Sequence, residues 1–161
     1  MNLSAHLKNK KGHASRQAGF TLIELLVVIG ILAILLAITL IAINPARQFS
    51  QANNTQRSSD VNAILNAINQ YMSDNGGTPP PGITSPMAPT NIASVGGVDI
   101  CTSLVTTYLA SMPVDPGPLG SWTSCGTYST AYYVSRSGTD NRITVTATET
   151  ELGIPNITVT R

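Results

Sequence analysis

From Leu25 to Ile43 the chain runs for nineteen residues without a charged side chain, and one carboxylate, Glu24, stands at the threshold of that run. At ~1.5 Å rise per residue, the run makes about 28 Å of helix. That is close to the roughly 30 Å hydrocarbon core of a bilayer, so a membrane-spanning helix is the first expectation. The acid beside it needs a physical reason. On insertion scales a carboxylate costs ~2–3 kcal/mol at the centre of a spanning helix and less near the interface. A place in the first helical turn returns about 0.3–1 kcal/mol, because the helix dipole favours negative charge there. An ammonium ~4 Å away would attract it by about 4 kcal/mol at an effective dielectric near ~20, before desolvation. Glu24 is therefore tolerable alone and better satisfied by a cationic partner.

The residues upstream give direction. Lys8, Lys10, Lys11 and Arg16 make the first nineteen residues basic, no acid lies among them, and the segment closes on Ala18-Gly19. Basic residues ahead of an apolar span place that end in the cytoplasm, so the chain after Asn44 lies outside. A secretory signal has an apolar region of only ~7–15 residues before a small-residue cleavage site. Here the run is longer, and Asn44-Pro45-Ala46-Arg47-Gln48 follows it.

The stretch Gly19-Phe20-Thr21-Leu22-Ile23-Glu24-Leu25-Leu26-Val27-Val28-Ile29-Gly30-Ile31-Leu32-Ala33-Ile34-Leu35 resembles the class III signal of type IV pilins and type II secretion pseudopilins. The resemblance is detailed over residues 12–75. It implies a membrane-embedded aspartyl prepilin peptidase that cuts between Gly19 and Phe20, and Phe20 as the N-methylated first residue. It also implies that Glu24 is the assembly glutamate, which meets the N-terminal amine of a neighbouring subunit. The partners implied are the peptidase, other copies of the chain and related pilins in a filament, an inner-membrane assembly platform, and the lipid bilayer.

Composition removes most competing functions. From Phe20 onward there are five arginines against all eight acids, a formal net charge of −3, with no lysine and no histidine. Serine and cysteine nucleophiles activated by an imidazole base are excluded. Zinc sites built on histidine and lysine-bearing phosphate loops are excluded as well. Asp60, Asp74, Asp99, Asp115 and Asp140 are scattered without a motif, so no enzyme is expected. Five dispersed arginines make no basic stripe, and nucleic acid is not expected as a main partner.

Asn44-Pro45 interrupts the helix just past the apolar run. Two readings are open: a kink at Pro45, which is favoured, or a helix end with Pro45 opening a new helix. Beyond it Phe49, Ala52, Val61, Ile64, Leu65, Ile68, Tyr71 and Met72 follow helical spacing, with Gln51, Asn54, Arg57, Ser58, Asn62 and Asn66 on the polar face. Asn75-Gly76-Gly77 supplies a stop. Thr78 to Gly97, rich in Pro, Gly, Ser and Thr, reads as loop. Thr102 to Ser111 reads as a short helix capped by Thr102. Ala131–Ser135 and Arg142–Thr148 read as an antiparallel hairpin, with Ile157–Thr160 as an edge strand.

Cys101 and Cys125 are the only cysteines. Outside the cytoplasm they favour a disulfide, with two buried thiols as the alternative. Between them, Tyr108-Leu109-Ala110-Ser111-Met112-Pro113-Val114-Asp115-Pro116 resembles a segment of major pseudopilins, with Met112 in place of the usual Leu and Gly117-Pro118-Leu119-Gly120 in place of the usual Trp-Gly. Major pseudopilins commonly hold calcium in their C-terminal loop region. Asp140, Glu149 and Glu151 are sparse for an ion that wants six to eight oxygens, so no cofactor is expected and calcium stays an open alternative.

The expected fold is α+β, a long N-terminal helical stem packed on a small antiparallel sheet of three or four strands. Residues 1–19 form the leader, 20–43 the transmembrane and assembly helix, 44–75 the amphipathic half of the stem, 76–100 a loop, and 101–161 the head. The expected function is a pilin or pseudopilin, anchored once in the cytoplasmic membrane and then polymerised into an extracellular or periplasmic filament. A minor tip subunit that binds or primes, and an anchored domain that never polymerises, are the alternatives.

Overall fold

The computed structural model describes residues 19–161, so the basic leader with Lys8, Lys10, Lys11 and Arg16 lies outside the described residues. The chain divides into two compact units, one ending at Ile43 and one running from Asn44 to Arg161. The architecture is α+β.

In the first unit, α1 covers Leu22–Ile43, 22 residues, none of them buried. It is long and apolar enough to cross a membrane. Such a helix is apolar on every side, as expected for a span whose surroundings are lipid or other helices.

The second unit opens on α2, Pro45–Asp74, 30 residues long. The interruption expected at Pro45 takes the form of a helix end and a fresh start. Asn44 adopts a left-handed conformation (φ 47°), and its side chain accepts from the Arg47 N–H at 3.4 Å. Pro45 occupies the first helical position, where its missing N–H removes no intrahelical bond. At the other end the Gly77 N–H donates to the Met72 carbonyl at 2.7 Å, and positive φ at Gly76 and Gly77 turns the chain away.

The buried stripe of α2 differs from the expected one in its first half. Val61, Ile64, Leu65 and Ile68 are buried, and Tyr71 and Met72 pack against the core. Phe49, however, is 70% exposed and Ala52 is exposed, whereas Asn54 and Arg57, expected on the polar face, are buried. The stripe keeps its helical spacing but changes from apolar to polar, because its partners change from a sheet face to loops that carry hydrogen-bonding groups.

Five antiparallel strands form the sheet: β1 (Met87–Ala93), β2 (Ser121–Ser124), β3 (Thr127–Arg136), β4 (Ile143–Ala147) and β5 (Ile157–Thr160). Their order is β1-β3-β4-β5, with β2 also paired to β3. The expected hairpin is β3–β4, in register at Tyr132↔Ala147, Val134↔Val145 and Arg136↔Ile143. β5 is the edge strand expected. The region from Thr78 to Gly97 is not all loop, since β1 lies within it. Pro89 falls in the register shift between Met87 and Thr90, where no ladder N–H is required.

The expected helix from Thr102 shrinks to α3, Cys101–Leu104, with Ile100 as a cap that makes no side-chain bond. Val105 is already extended and Thr106 has φ 78°, so the run of β-branched residues ends it. Leu104, Met112, Ile83, Ile92 and Ile100 join the inward residues of α2, β3 and β4 in one core. Cys101 and Cys125 form a disulfide with Cα atoms 5.3 Å apart.

Candidate processing and assembly site

Gly19, Phe20, Thr21 and Glu24 meet at the start of α1. Gly19 and Phe20 lie ahead of the helix, outside regular secondary structure, and Phe20 is 90% exposed. Thr21 occupies the N-cap and Glu24 the third helical position. The Thr21 N–H and hydroxyl both donate to Glu24 Oε2, at 2.9 and 2.7 Å. In return the Glu24 N–H donates to Thr21 Oγ1 at 3.3 Å. The pattern is a capping box, in which cap and third residue each satisfy an orphan donor of the other. The carboxylate thus has a local use before any partner arrives. Thr21 is not among the residues expected to function, although Thr-x-x-Glu ahead of an apolar run is the signature of this cap.

A second polar constellation lies in the head. Arg57, 2% exposed, donates through Nε to Asp115 Oδ2 at 2.6 Å and through Nη2 to Asp115 Oδ1 at 3.0 Å. Its Nη1 donates to Asn54 Oδ1 and to Glu151 Oε1, each at 3.1 Å. Asn54 also pairs with the Glu151 backbone, donating to its carbonyl at 3.0 Å and accepting from its N–H at 3.0 Å. The Asp115-Pro116 segment wraps its own carboxylate: the Gly117 N–H donates to Asp115 Oδ1 at 2.7 Å, and a Cβ on Gly120 would come within 2.5 Å of the Asp115 carbonyl oxygen. Hydrogen bonds from Ser50, Asn53 and Arg57 hold the Glu151 carboxyl down to about 2.

Two of the acids considered for calcium already have partners within the fold. Asp140 sits in the β3–β4 turn, accepting from the Arg142 N–H at 3.3 Å, while Glu151 is engaged by Arg57 and Asn53. Among the described residues no three His, Cys, Asp or Glu side chains converge as a metal site.

Residues 14–40 match the family model described as the prokaryotic N-terminal methylation motif. No curated protein and no solved structure matches the chain. The match is confined to the amino-terminal part of the chain and supports a pilin-like or pseudopilin-like precursor of the processed kind. Proteins of that motif family are structural, and the motif implies peptidase processing and pilus assembly in general terms. Together with α1, it fits a membrane-anchored pilin.

Proposed function

We propose that this chain is a structural pilin or pseudopilin subunit, cut between Gly19 and Phe20, held in the cytoplasmic membrane by α1 with its head outside, and polymerised into a type IV pilus or type II secretion-like filament. One observation carries the reading: a methylation motif opens directly onto an apolar helix that buries none of its own residues and bears a single carboxylate in its first turn. Hydrolysis of the Gly19–Phe20 bond by water leaves a carboxylate on Gly19 and an amine on Phe20; the amine then takes a methyl group from a sulfonium methyl donor, which leaves as the thioether, and gives up a proton. The capping box lets the subunit wait in the bilayer with Glu24 satisfied by Thr21. On assembly the carboxylate turns to the amine of a neighbouring copy, and the apolar surface of α1 exchanges lipid for other stems. The assembly platform and related pilins are the remaining partners.

The test is the mass of the amino-terminal peptide of protein recovered from its own cell. A chain that begins at methylated Phe20 and is found in sheared filaments is expected. Retention of Met1 by protein never found in filaments would overturn the reading.

A further inference from the structure

We propose that Arg57 is the structural cation of this head, a built-in guanidinium that ties three separate segments together where a bound metal ion would otherwise be needed. Four side-chain oxygens converge on it. Two come from Asp115 in the loop before β2, one from Glu151 between β4 and β5, and one from Asn54 a turn away on α2. Two anionic carboxylates and an amide oxygen are the donor types of a hard-cation site, and here a fork of N–H groups fills their centre. Its Asp115 partner is fully buried and its Glu151 partner a third exposed. A groove of about 330 Å³ lined by Arg57, Asp115, Gly117, Leu119, Glu149 and Glu151 opens beside them. The segment held this way, Thr148–Leu152, has no strand or helix of its own and reaches α2 through Asn53, Asn54 and Arg57. The calcium suggested by resemblance is replaced by a side chain, and the head folds independently of metal.

The inference concerns the head and stands whether or not the chain polymerises. Its test uses the purified full chain in detergent, with thermal unfolding of the head followed by tyrosine and tryptophan signals. Neither EDTA nor calcium at about 5 mM, above the range of extracellular calcium modules, moves the wild-type midpoint. Arg57→Ala lowers the midpoint by roughly 10–20 °C, the effect of stranding a buried carboxylate. Calcium, now able to enter among the vacated oxygens, restores part of that loss, and does not do so in Arg57→Ala/Glu151→Gln. A wild-type midpoint that falls with EDTA, or an Arg57→Ala midpoint equal to wild type or indifferent to calcium, overturns the proposal. If Arg57→Ala does not fold, Glu151→Gln carries the test through hydrogen exchange. Faster exchange of the Glu151 amide, unaffected by EDTA, is expected, and unchanged or EDTA-accelerated exchange overturns it.

Discussion

Glu24 has two separable duties in this reading, and two conservative substitutions divide them. Thr21→Val removes the hydroxyl that donates to Glu24 at 2.7 Å and accepts from its N–H at 3.3 Å, leaving the carboxylate charged. Loss of an N-cap hydroxyl costs ~1 kcal/mol, enough to fray one turn of a long helix and too little to unfold it. Glu24→Gln does the reverse. Its amide oxygen still accepts from the Thr21 N–H, which the carboxylate now accepts at 2.9 Å, but no charge remains for an incoming amine. The attraction lost is about 4 kcal/mol at ~4 Å and an effective dielectric near ~20. If desolvation cancels three quarters of it, about 1 kcal/mol remains per contact, a roughly fivefold loss at each subunit addition. Repeated over a filament, that factor removes detectable fibres. The assay is the yield of sheared filaments from cells expressing each variant, normalised to the processed subunit in the membrane fraction. Glu24→Gln should be processed, membrane-bound and almost absent from filaments, while Thr21→Val should assemble at near wild-type yield. The opposite outcome, with Gln assembling and Val failing, would mean that the acid is only a helix cap and that charge pairing is the wrong account.

Replacing Cys101 and Cys125 together by Ser opens a loop closed over 24 residues and should destabilise the head by about 3 kcal/mol, read as a lower thermal midpoint of the full chain in detergent. On acidification the contribution of Glu151 should begin to fall as the pH drops below about 4.5. Its carboxyl is held near 2 in the fold against 4.5 when free, so the contribution is whole above 4.5 and lost as pH falls towards 2. Asp60 runs the other way, because burial raises its pKa and the strain of its charge eases as it protonates. A pH titration of the midpoint should therefore stay nearly level from about 6 to about 5 and fall progressively between about 4.5 and about 2. Tyr132→Phe removes the hydroxyl that donates to buried Asp60 at 2.8 Å and should cost about 2 kcal/mol in denaturant unfolding. Tyr108→Phe, which loses an exposed bond to Asp74, should cost under about 0.5 kcal/mol.

The parts legible in the sequence were those in which one period or one local motif decides the structure. Nineteen uncharged residues fix α1 regardless of the rest of the fold, and Val61, Ile64, Leu65 and Ile68 mark a helical face unaided. The hairpin declared itself through β-branched and aromatic runs on either side of a turn. Illegible parts depend on distant partners. Arg57 reads as solvent-facing until Asp115, 58 positions on, is brought against it, and Asn54 until Glu151, 97 positions on, is. Strand β1 buries only Ile92 and Ala93 and contains Pro89, so its sequence carries neither alternation nor an apolar run. Its pairing comes from β3. Thr21 is a different case, since Thr-x-x-Glu is a local capping signature that the adjoining apolar run overshadows.

A chain without lysine beyond its leader must satisfy its acids by other donors, and the head does so with a consistent chemistry. The Tyr132 hydroxyl donates to Asp60, that of Tyr128 to Asp99 and that of Tyr108 to Asp74, each at 2.8 Å, while Arg57 serves Asp115 and Glu151. A tyrosine hydroxyl costs less to bury than an ammonium, and its ring adds to the core that surrounds it. Burial and the Asp99 hydrogen bond push the Tyr128 phenol well above its ordinary range, which favours its neutral, donating form. Three of these donors, Tyr128, Tyr132 and Arg57, are themselves buried. Arg57 extends the same logic to the site where two carboxylates converge, and its permanently charged planar fork serves both at once. The ion pair at the centre of that site should be little affected by salt, because Arg57 meets the buried Asp115 carboxylate at 2.6 Å, far inside the Debye length of about 8 Å at physiological ionic strength.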